Sequence, residues 1–129
     1  MKARVILWMI LVPTALSLFS GCATTPAPDW YTVTGSGVAR PTDPLPQADL
    51  MARQAARRDA QRQILEAAKG VHIKSSSTVE DFMTRDDYIR SRVEGIIRDA
   101  QIVDTRNTSE GAWEVDMRID MNRIRDIVR

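Results

Sequence analysis

The sequence predicts a two-layer α+β domain in which helices cover one face of a mixed or antiparallel sheet. Three observations lead to this prediction. Runs that alternate between apolar and polar residues, as half-buried strands do, are separated by segments whose apolar residues have helical spacing. Their order is β-α-β-α-β-β, followed by a short C-terminal helix. The clearest alternating run has one apolar and one charged side, and a sheet with such faces is covered by helices on a single side.

The first strand and the first helix are predicted from composition and spacing. Aromatic and β-branched residues indicate a strand over 30–39 that ends in glycines, and the prolines of 40–47 indicate a loop. A helix is expected over 48–69, with Gly70 as its left-handed C-terminal cap. One helix face carries mostly small residues at spacings of four and three: Ala52, Ala56, Ala60, Ile64 and Ala67. We expect this face to pack closely on the sheet, with the helix arginines lateral or solvated.

The second β-α unit follows directly. Clean alternation over 71–80 indicates a half-buried strand. Thr84 is expected to be the N-cap of the second helix, with Asp87 completing a capping box and Met83 and Tyr88 forming a hydrophobic staple. The apolar stripe of this helix consists of Ile89, Val93, Ile96, Ile97 and Ala100.

A hairpin and a short helix are predicted at the C-terminal end. Gly111 lies in a short polar turn between two strand-like runs. In the second run, one side consists of Trp113, Val115, Met117, Ile119 and Met121, and the other of Glu114, Asp116, Arg118 and Asp120. The last eight residues, 122–129, are expected to form the closing helix.

The N-terminus has the layout of a secretory signal peptide. Lys2 and Arg4 precede an uncharged run over 5–19, and the small residues Ser20 and Gly21 follow. This run of 15 residues is shorter than the roughly 20 that a spanning helix needs. Export is therefore favoured, and an uncleaved membrane anchor is the alternative.

Cys22 is the only cysteine of the chain, so it cannot form an internal disulfide. Ser20-Gly21-Cys22 resembles the lipobox of bacterial lipoproteins, although Phe19 stands where leucine is usual. The resemblance implies cleavage between Gly21 and Cys22, a diacylglyceryl thioether on Cys22, and a further acyl chain such as palmitate on the new N-terminal amine. It also implies delivery to the outer membrane, because Ala23 rather than aspartate follows the cysteine.

These observations divide the chain into three parts. Residues 1–21 are interpreted as a lipoprotein signal peptide, and residues 22–29 as the lipidated cysteine and a tether. Residues 30–129 form the single α+β domain.

No catalytic, cofactor-binding or metal-binding motif is found in the sequence. His72 is the only histidine and has no ligand partner at local spacing. The segment 35–37 lacks the third glycine of a phosphate-binding loop, so its glycines are interpreted as ending the strand. Acidic and basic residues are interspersed, with a net charge of +1, which does not indicate nucleic-acid binding. We therefore expect a protein that is not an enzyme.

Several short motifs resemble one bacterial family. They are the glycines and alanine of 35–39, the alanine-rich helix with Asp59 and Ala60, the pairs Gly70-Val71 and Thr78-Val79, and "VEGIIRDAQIV" at 93–103. Together they resemble the domain of small lipoproteins related to the flagellar outer-membrane lipoprotein FlgP and to a twenty-kilodalton surface lipoprotein. The similarity covers roughly residues 30–120, with Asp99 where the family motif has glycine.

This resemblance implies a non-enzymatic structural or interaction module in flagellar or cell-envelope assembly, held to the membrane by the lipid on Cys22. It implies homo-oligomers or complexes with envelope or flagellar proteins, formed through sheet edges and outer faces. The candidate interaction face consists of Glu114, Asp116, Arg118 and Asp120, and the alternative is that this face is only solvated. The alternative function is a periplasm-facing lipoprotein that binds a small or lipidic ligand between helices and sheet. The side of the outer membrane on which the domain lies is left open.

Overall fold

Four helices and five strands are formed by the residues that a computed structural model describes, 26–40 and 44–129. The strands are β1 (Trp30–Gly37), β2 (His72–Lys74), β3 (Ser77–Thr78), β4 (Gln101–Asn107) and β5 (Trp113–Asp120). The helices are α1 (Leu45–Lys69), α2 (Val79–Arg85), α3 (Asp87–Arg98) and α4 (Met121–Ile127). The predicted α+β class is confirmed. The predicted cleavage site, Gly21 and Cys22, lies outside the described residues.

The main sheet has the strand order β1-β5-β4 and is antiparallel throughout. The C-terminal strand β5 is therefore central, with Val33 of β1 and Ile102 of β4 both opposite its Met117. The predicted hairpin joins β4 to β5. The amide of Thr108 donates to the carbonyl of Ala112 at 2.7 Å, and Gly111 takes the positive φ of 79° that the turn requires.

Helix α1 packs across β1 and β5 on one face of the sheet. The predicted small-residue face is confirmed, except that Ala68 rather than Ala67 is fully buried. Opposite it, the two glycines of β1 lie against the helix backbone: a Cβ added at Gly35 would overlap the carbonyl oxygen of Ala56, and one added at Gly37 would overlap that of Ala52. The glycines therefore set how closely helix and sheet approach.

The predicted end of α1 at Lys69 is confirmed, but its predicted start and the predicted conformation of Gly70 are wrong. The helix begins three residues before the predicted start, at Leu45, because Pro46 fits within a first turn whose amides need no partner. Gly70 is not a left-handed cap, since its φ is −72° and lies in the right-handed region.

The predicted single strand over 71–80 is wrong in part. The chain instead forms the two short strands β2 and β3, which pair with each other and not with the main sheet. The reason is a capping box that starts α2 early. The backbone amide of Thr78 donates to the carboxylate of Asp81 at 2.7 Å, and the amide of Asp81 donates to the Thr78 hydroxyl at 3.4 Å. Val79 is thereby the first residue of a helix and is fully buried.

The predicted start of the second helix at Thr84 is also wrong. Thr84 lies inside α2, where its hydroxyl donates to the carbonyl of Glu80 at 2.9 Å. Asp86 is the N-cap of α3, because its carboxylate accepts the amide of Tyr88 at 2.8 Å. Tyr88 is 68% exposed, so it does not form the expected staple. The apolar stripe of α3 is confirmed for Val93 and Ile97, which are buried, and for Ile89 and Ile96, which are half-buried. Ala100 is buried too, but it lies two residues beyond the end of the helix at Arg98.

Helix α4 closes the core and holds the first described residues. Asp29 lies against it: the Asp29 carbonyl accepts the Met121 amide at 2.9 Å, and the Asp29 carboxylate pairs with Arg125 at 2.6 Å. Two residues earlier, the side chain of Asn122 donates to the carbonyl of Ala27 at 3.0 Å. The chain is therefore attached to the domain from Ala27, three residues before the predicted domain boundary.

Candidate interaction surface

The predicted interaction face lies on the side of the main sheet that faces away from α1. We call this side the outer face. It is formed by alternate residues of all three strands: Trp30, Thr32, Thr34 and Ser36 of β1, Gln101, Asp104 and Arg106 of β4, and Glu114, Asp116, Arg118 and Asp120 of β5. The four predicted residues are brought together, because they alternate along the central strand.

An arginine from the neighbouring strand organises the acidic part of the outer face. The guanidinium of Arg106 contacts Asp116 at 2.6 Å, Glu114 at 2.8 Å and Asp104 at 3.3 Å. One cation therefore joins three carboxylates from two strands. Sequence reasoning did not single out Arg106. The hairpin register would have found it, because closing the turn around Gly111 places Arg106 directly opposite Glu114.

Hydrogen bonds to Asp116 stabilise its ionised form. Arg106 donates to its carboxylate, and the hydroxyl of Thr34 donates to it from the other side at 2.6 Å. These two hydrogen bonds, that of Arg106 first, hold the pKa of Asp116 below the usual carboxyl range. Asp116 in turn raises the pKa of Arg106 further, so this pair stays charged at neutral pH.

The other two predicted residues make different contacts. Arg118 donates to Gln101 at 2.9 Å, and its guanidinium lies 4.6 Å from the centre of the Trp30 ring, in a cation–π arrangement. Asp120 is the N-cap of α4, accepting the amides of Asn122 at 3.0 Å and of Asp29 at 2.9 Å. Asp120 therefore serves the fold, while the other three residues are available on the surface.

The two edges of the main sheet differ in how they are covered. At the β1 edge, α1 supplies side chains to the free backbone groups. The amide of Ser36 donates to Asp59 at 3.2 Å, and the carbonyl of Thr34 accepts from Gln63 at 3.0 Å. At the opposite edge, all seven residues of β4 are exposed, and a bulge interrupts the ladder between Ile102 and Asp104. The β4 edge is the open one.

His72 is exposed on the short strand β2. In the described ranges, 26–40 and 44–129, no group of three histidine, cysteine, aspartate or glutamate residues is placed to hold a metal ion. Within the same ranges no helix has the length and apolar character needed to cross a membrane. A groove of about 530 Å³ between α3 and α4 is open to solvent.

Comparisons with protein-family models, with curated proteins and with solved structures find no match to this chain.

We expect the substitution Asp116→Asn to reduce the dependence of stability on acid pH. A carboxyl whose folded pKa is depressed contributes stability that is present above its unfolded pKa, about 3.9, and lost as the pH falls through its folded value. The free energy of unfolding of the wild type should therefore fall between about pH 5 and about pH 2. The variant should be less stable than the wild type at neutral pH. The difference between their free energies of unfolding should narrow as the pH falls through this window. Urea unfolding at several pH values measures it.

Salt provides the control for this prediction. Because Arg106 is partly exposed, about 1 M NaCl should reduce the difference between Asp116→Asn and wild type at neutral pH. Parallel stability curves for the two proteins across the acid range would contradict the role assigned to Asp116.

Proposed function

We propose that this protein is a lipoprotein anchored to the outer membrane, where it acts as a non-enzymatic structural or interaction module in flagellar or cell-envelope assembly. The observation that carries the proposal is Ser20-Gly21-Cys22 at the end of the uncharged run 5–19. A cysteine thiolate is nucleophilic enough to accept a diacylglyceryl group as a thioether. Since each buried methylene contributes about 0.8 kcal/mol and one chain binds only marginally, several acyl chains give a stable anchor.

The attachment of the chain to α4 supports a domain that works close to the lipid. Residues are held against the domain from Ala27, and Cys22 lies five residues before it. An extended chain spans at most about 17 Å over that distance. The end of the domain that carries Trp30 and α4 would then lie nearest the membrane, and the rest of the sheet would point away from it.

The surfaces of the sheet support assembly over ligand binding. The outer face presents charged side chains, and β4 is exposed along its whole length. The alternative, a ligand held between helix and sheet, is disfavoured because α1 and β1 touch backbone to backbone at Gly35 and Gly37. Such close packing leaves no room for a ligand there.

We expect Cys22→Ser to abolish lipid attachment. In a Gram-negative host grown with labelled palmitate, the wild type should incorporate label and fractionate with the outer membrane. The variant should carry no label and leave that fraction, because a serine hydroxyl is not a thiolate nucleophile. The intact mass of the wild type should correspond to a chain that begins at Cys22 and carries acyl groups.

Thr25→Ser is the matched control, since it makes a similarly small change in the same segment and should behave as wild type. In the native host, deletion of the gene should impair motility or envelope integrity, and the wild type but not Cys22→Ser should restore it. A wild-type protein that begins at Met1 with a free thiol would refute the lipoprotein proposal. Restoration by Cys22→Ser would refute the need for an anchor.

A further inference from the structure

We propose that two copies of this chain pair through their β4 strands, antiparallel, about a two-fold axis at Thr105. The inference deepens the proposed function and rests on its self-association. It names the strand, the register and the ion pairs that would hold the two copies together.

The hairpin shows which backbone groups of β4 face the open edge. The Thr108 amide bonds the Ala112 carbonyl, and hydrogen-bonded pairs recur at every second residue of an antiparallel ladder. Arg106 and Asp104 therefore bond to β5, whereas Thr105 and Asn107 direct their amide and carbonyl groups away from it. The amide of Thr105 agrees with this: it donates to the Asp104 carboxylate at 2.8 Å rather than to a β5 carbonyl.

Charge complementarity selects the register. With the axis at Thr105, this residue exchanges both backbone hydrogen bonds with its own copy, and Val103 lies opposite Asn107. Asp104 then lies opposite Arg106 of the second copy, and the same ion pair forms twice. Opposite charges on directly paired residues stabilise a sheet.

The neighbouring registers lack this match. An axis one residue earlier, at Asp104, places Asp104 opposite its own copy, and an axis one residue later places Arg106 opposite its own copy; like charges directly opposite destabilise a sheet. An axis two residues earlier, at Val103, places Asp104 opposite Ile102, which pairs a carboxylate with an apolar side chain. An axis two residues later pairs residues that lie beyond Asn107, where β4 ends. A shift of the pairing by a single residue would place the axis between two residues and put opposed side chains on different faces.

The other features of the molecule fit pairing at this edge. The β1 edge is less open, because Asp59 and Gln63 of α1 already bond two of its backbone groups, the Ser36 amide and the Thr34 carbonyl. On pairing, a carbonyl replaces Oδ1 of Asp104 at the Thr105 amide, so this oxygen can accept from Arg106 of the second copy while Oδ2 keeps its contact with Arg106 of its own chain. Val103, which is 53% exposed in the single chain, becomes partly covered.

The bulge between Ile102 and Asp104 limits the paired stretch to about five residues, 103–107. An interface of this length is smaller than that of a stable complex in solution. We therefore infer that pairing depends on the high local concentration that a shared membrane provides.

The test introduces a cysteine at the axis of the full-length chain, expressed in a Gram-negative host. In membranes of cells that carry Thr105→Cys, mild oxidation should convert most of the protein into a disulfide-linked dimer. A hydrogen-bonded antiparallel pair places its Cα atoms about 5.5 Å apart, within the range that a disulfide spans. Thr32→Cys is the matched control, because Thr32 is an exposed threonine on the opposite edge strand, and it should yield no more dimer than wild type.

A second variant tests the backbone hydrogen bond itself. Val103→Cys with Asn107→Cys in one chain should also form dimers, since these residues face each other across the axis. Adding Thr105→Pro removes an amide that makes no bond to β5, so the urea unfolding midpoint should persist while dimer formation falls at least tenfold. Thr32→Pro in the same background should leave dimer formation unchanged.

Each outcome decides the proposal. The proposal would be overturned if Thr105→Cys formed no more dimer than Thr32→Cys. A disulfide adduct to a different protein would also overturn it, because the edge would then belong to another partner. Dimers in a protein that carries no lipid on Cys22 would support the pairing through β4, but would refute its dependence on the membrane and the lipoprotein proposal. Lipidated protein without dimers would support the lipoprotein proposal and refute the pairing through β4.

Discussion

Gly35→Ala is expected to unfold the protein or to lower its free energy of unfolding by at least about 3 kcal/mol. The added methyl group would overlap the carbonyl oxygen of Ala56 and the amide nitrogen of Ala60, both of which are backbone atoms of α1. A side chain can rotate away from such a clash, but a helix backbone can only move as a whole. Helix α1 would have to lift from the strand and release the buried contacts along its alanine face. Urea unfolding followed by circular dichroism measures the loss.

Gly95→Ala is the matched control, because a Cβ added at Gly95 meets no atom within 4 Å. This substitution lies within α3, where alanine is the better helix former, and it should raise stability by up to about 1 kcal/mol. The double variant Gly35→Ala with Ala60→Gly should remain as unstable as the single one, since removing the Ala60 methyl leaves both backbone atoms in place. Recovery in that double variant would show that side chains, not backbones, set the approach.

The role of Gly35 also shows how far the sequence predicts this fold. The small-residue face of α1 and the alternation of β5 were predicted correctly, because each long element carries its own periodicity. The glycines of 35–37 were interpreted as the end of a strand, and β1 does end at Gly37, but the same glycines also form the strand's contact with α1, which was not predicted. Gly35 and Gly37 are two residues apart, so both lie on the face of the strand opposite the outer face. Nothing in the sequence of 30–39 itself indicates that a helix backbone packs there.

The segment 71–85 was harder to predict because two capping boxes compete in it. Thr78 with Asp81 and Thr84 with Asp87 have the same spacing, and the helix was predicted to start at the second pair. The structure uses the first, since a helix that starts at Val79 buries both Val79 and Met83 in the core. Which start is used depends on the core that the rest of the chain offers, and this is tertiary information.

The candidate interaction face was predicted in part for the same reason. Alternation alone places Glu114, Asp116, Arg118 and Asp120 on one side of β5. It does not reveal that Arg106 joins two of them, or that Asp120 caps α4, because both depend on which strands and helices are neighbours. A charged face that seemed uniform in the sequence is thus divided into a surface part and a part that serves the fold.

Ile124→Ala is expected to lower the free energy of unfolding by about 3 to 4 kcal/mol. Ile124 is fully buried in α4, so removing most of its side chain leaves a cavity in the core. Ile127→Ala is the matched control: it makes the same change in the same helix at a half-buried position, and we expect it to cost only about 1 kcal/mol. Because the helix propensity changes equally in both variants, the difference between them measures burial.

The effect of Ile124→Ala should extend to the N-terminal attachment of the domain. Asp29 and Ala27 are held by Arg125 and Asn122 of the same helix, and these exposed contacts hold only while α4 stays docked. Hydrogen exchange should therefore show faster opening of α4 in Ile124→Ala than in Ile127→Ala, together with faster exchange of the Asp29 amide, which bonds to Asp120. Slow exchange at Asp29 in the destabilised variant would mean that the segment is held independently of α4. The core residue Ile124 is thus expected to determine how firmly the domain is joined to the segment that leads to Cys22.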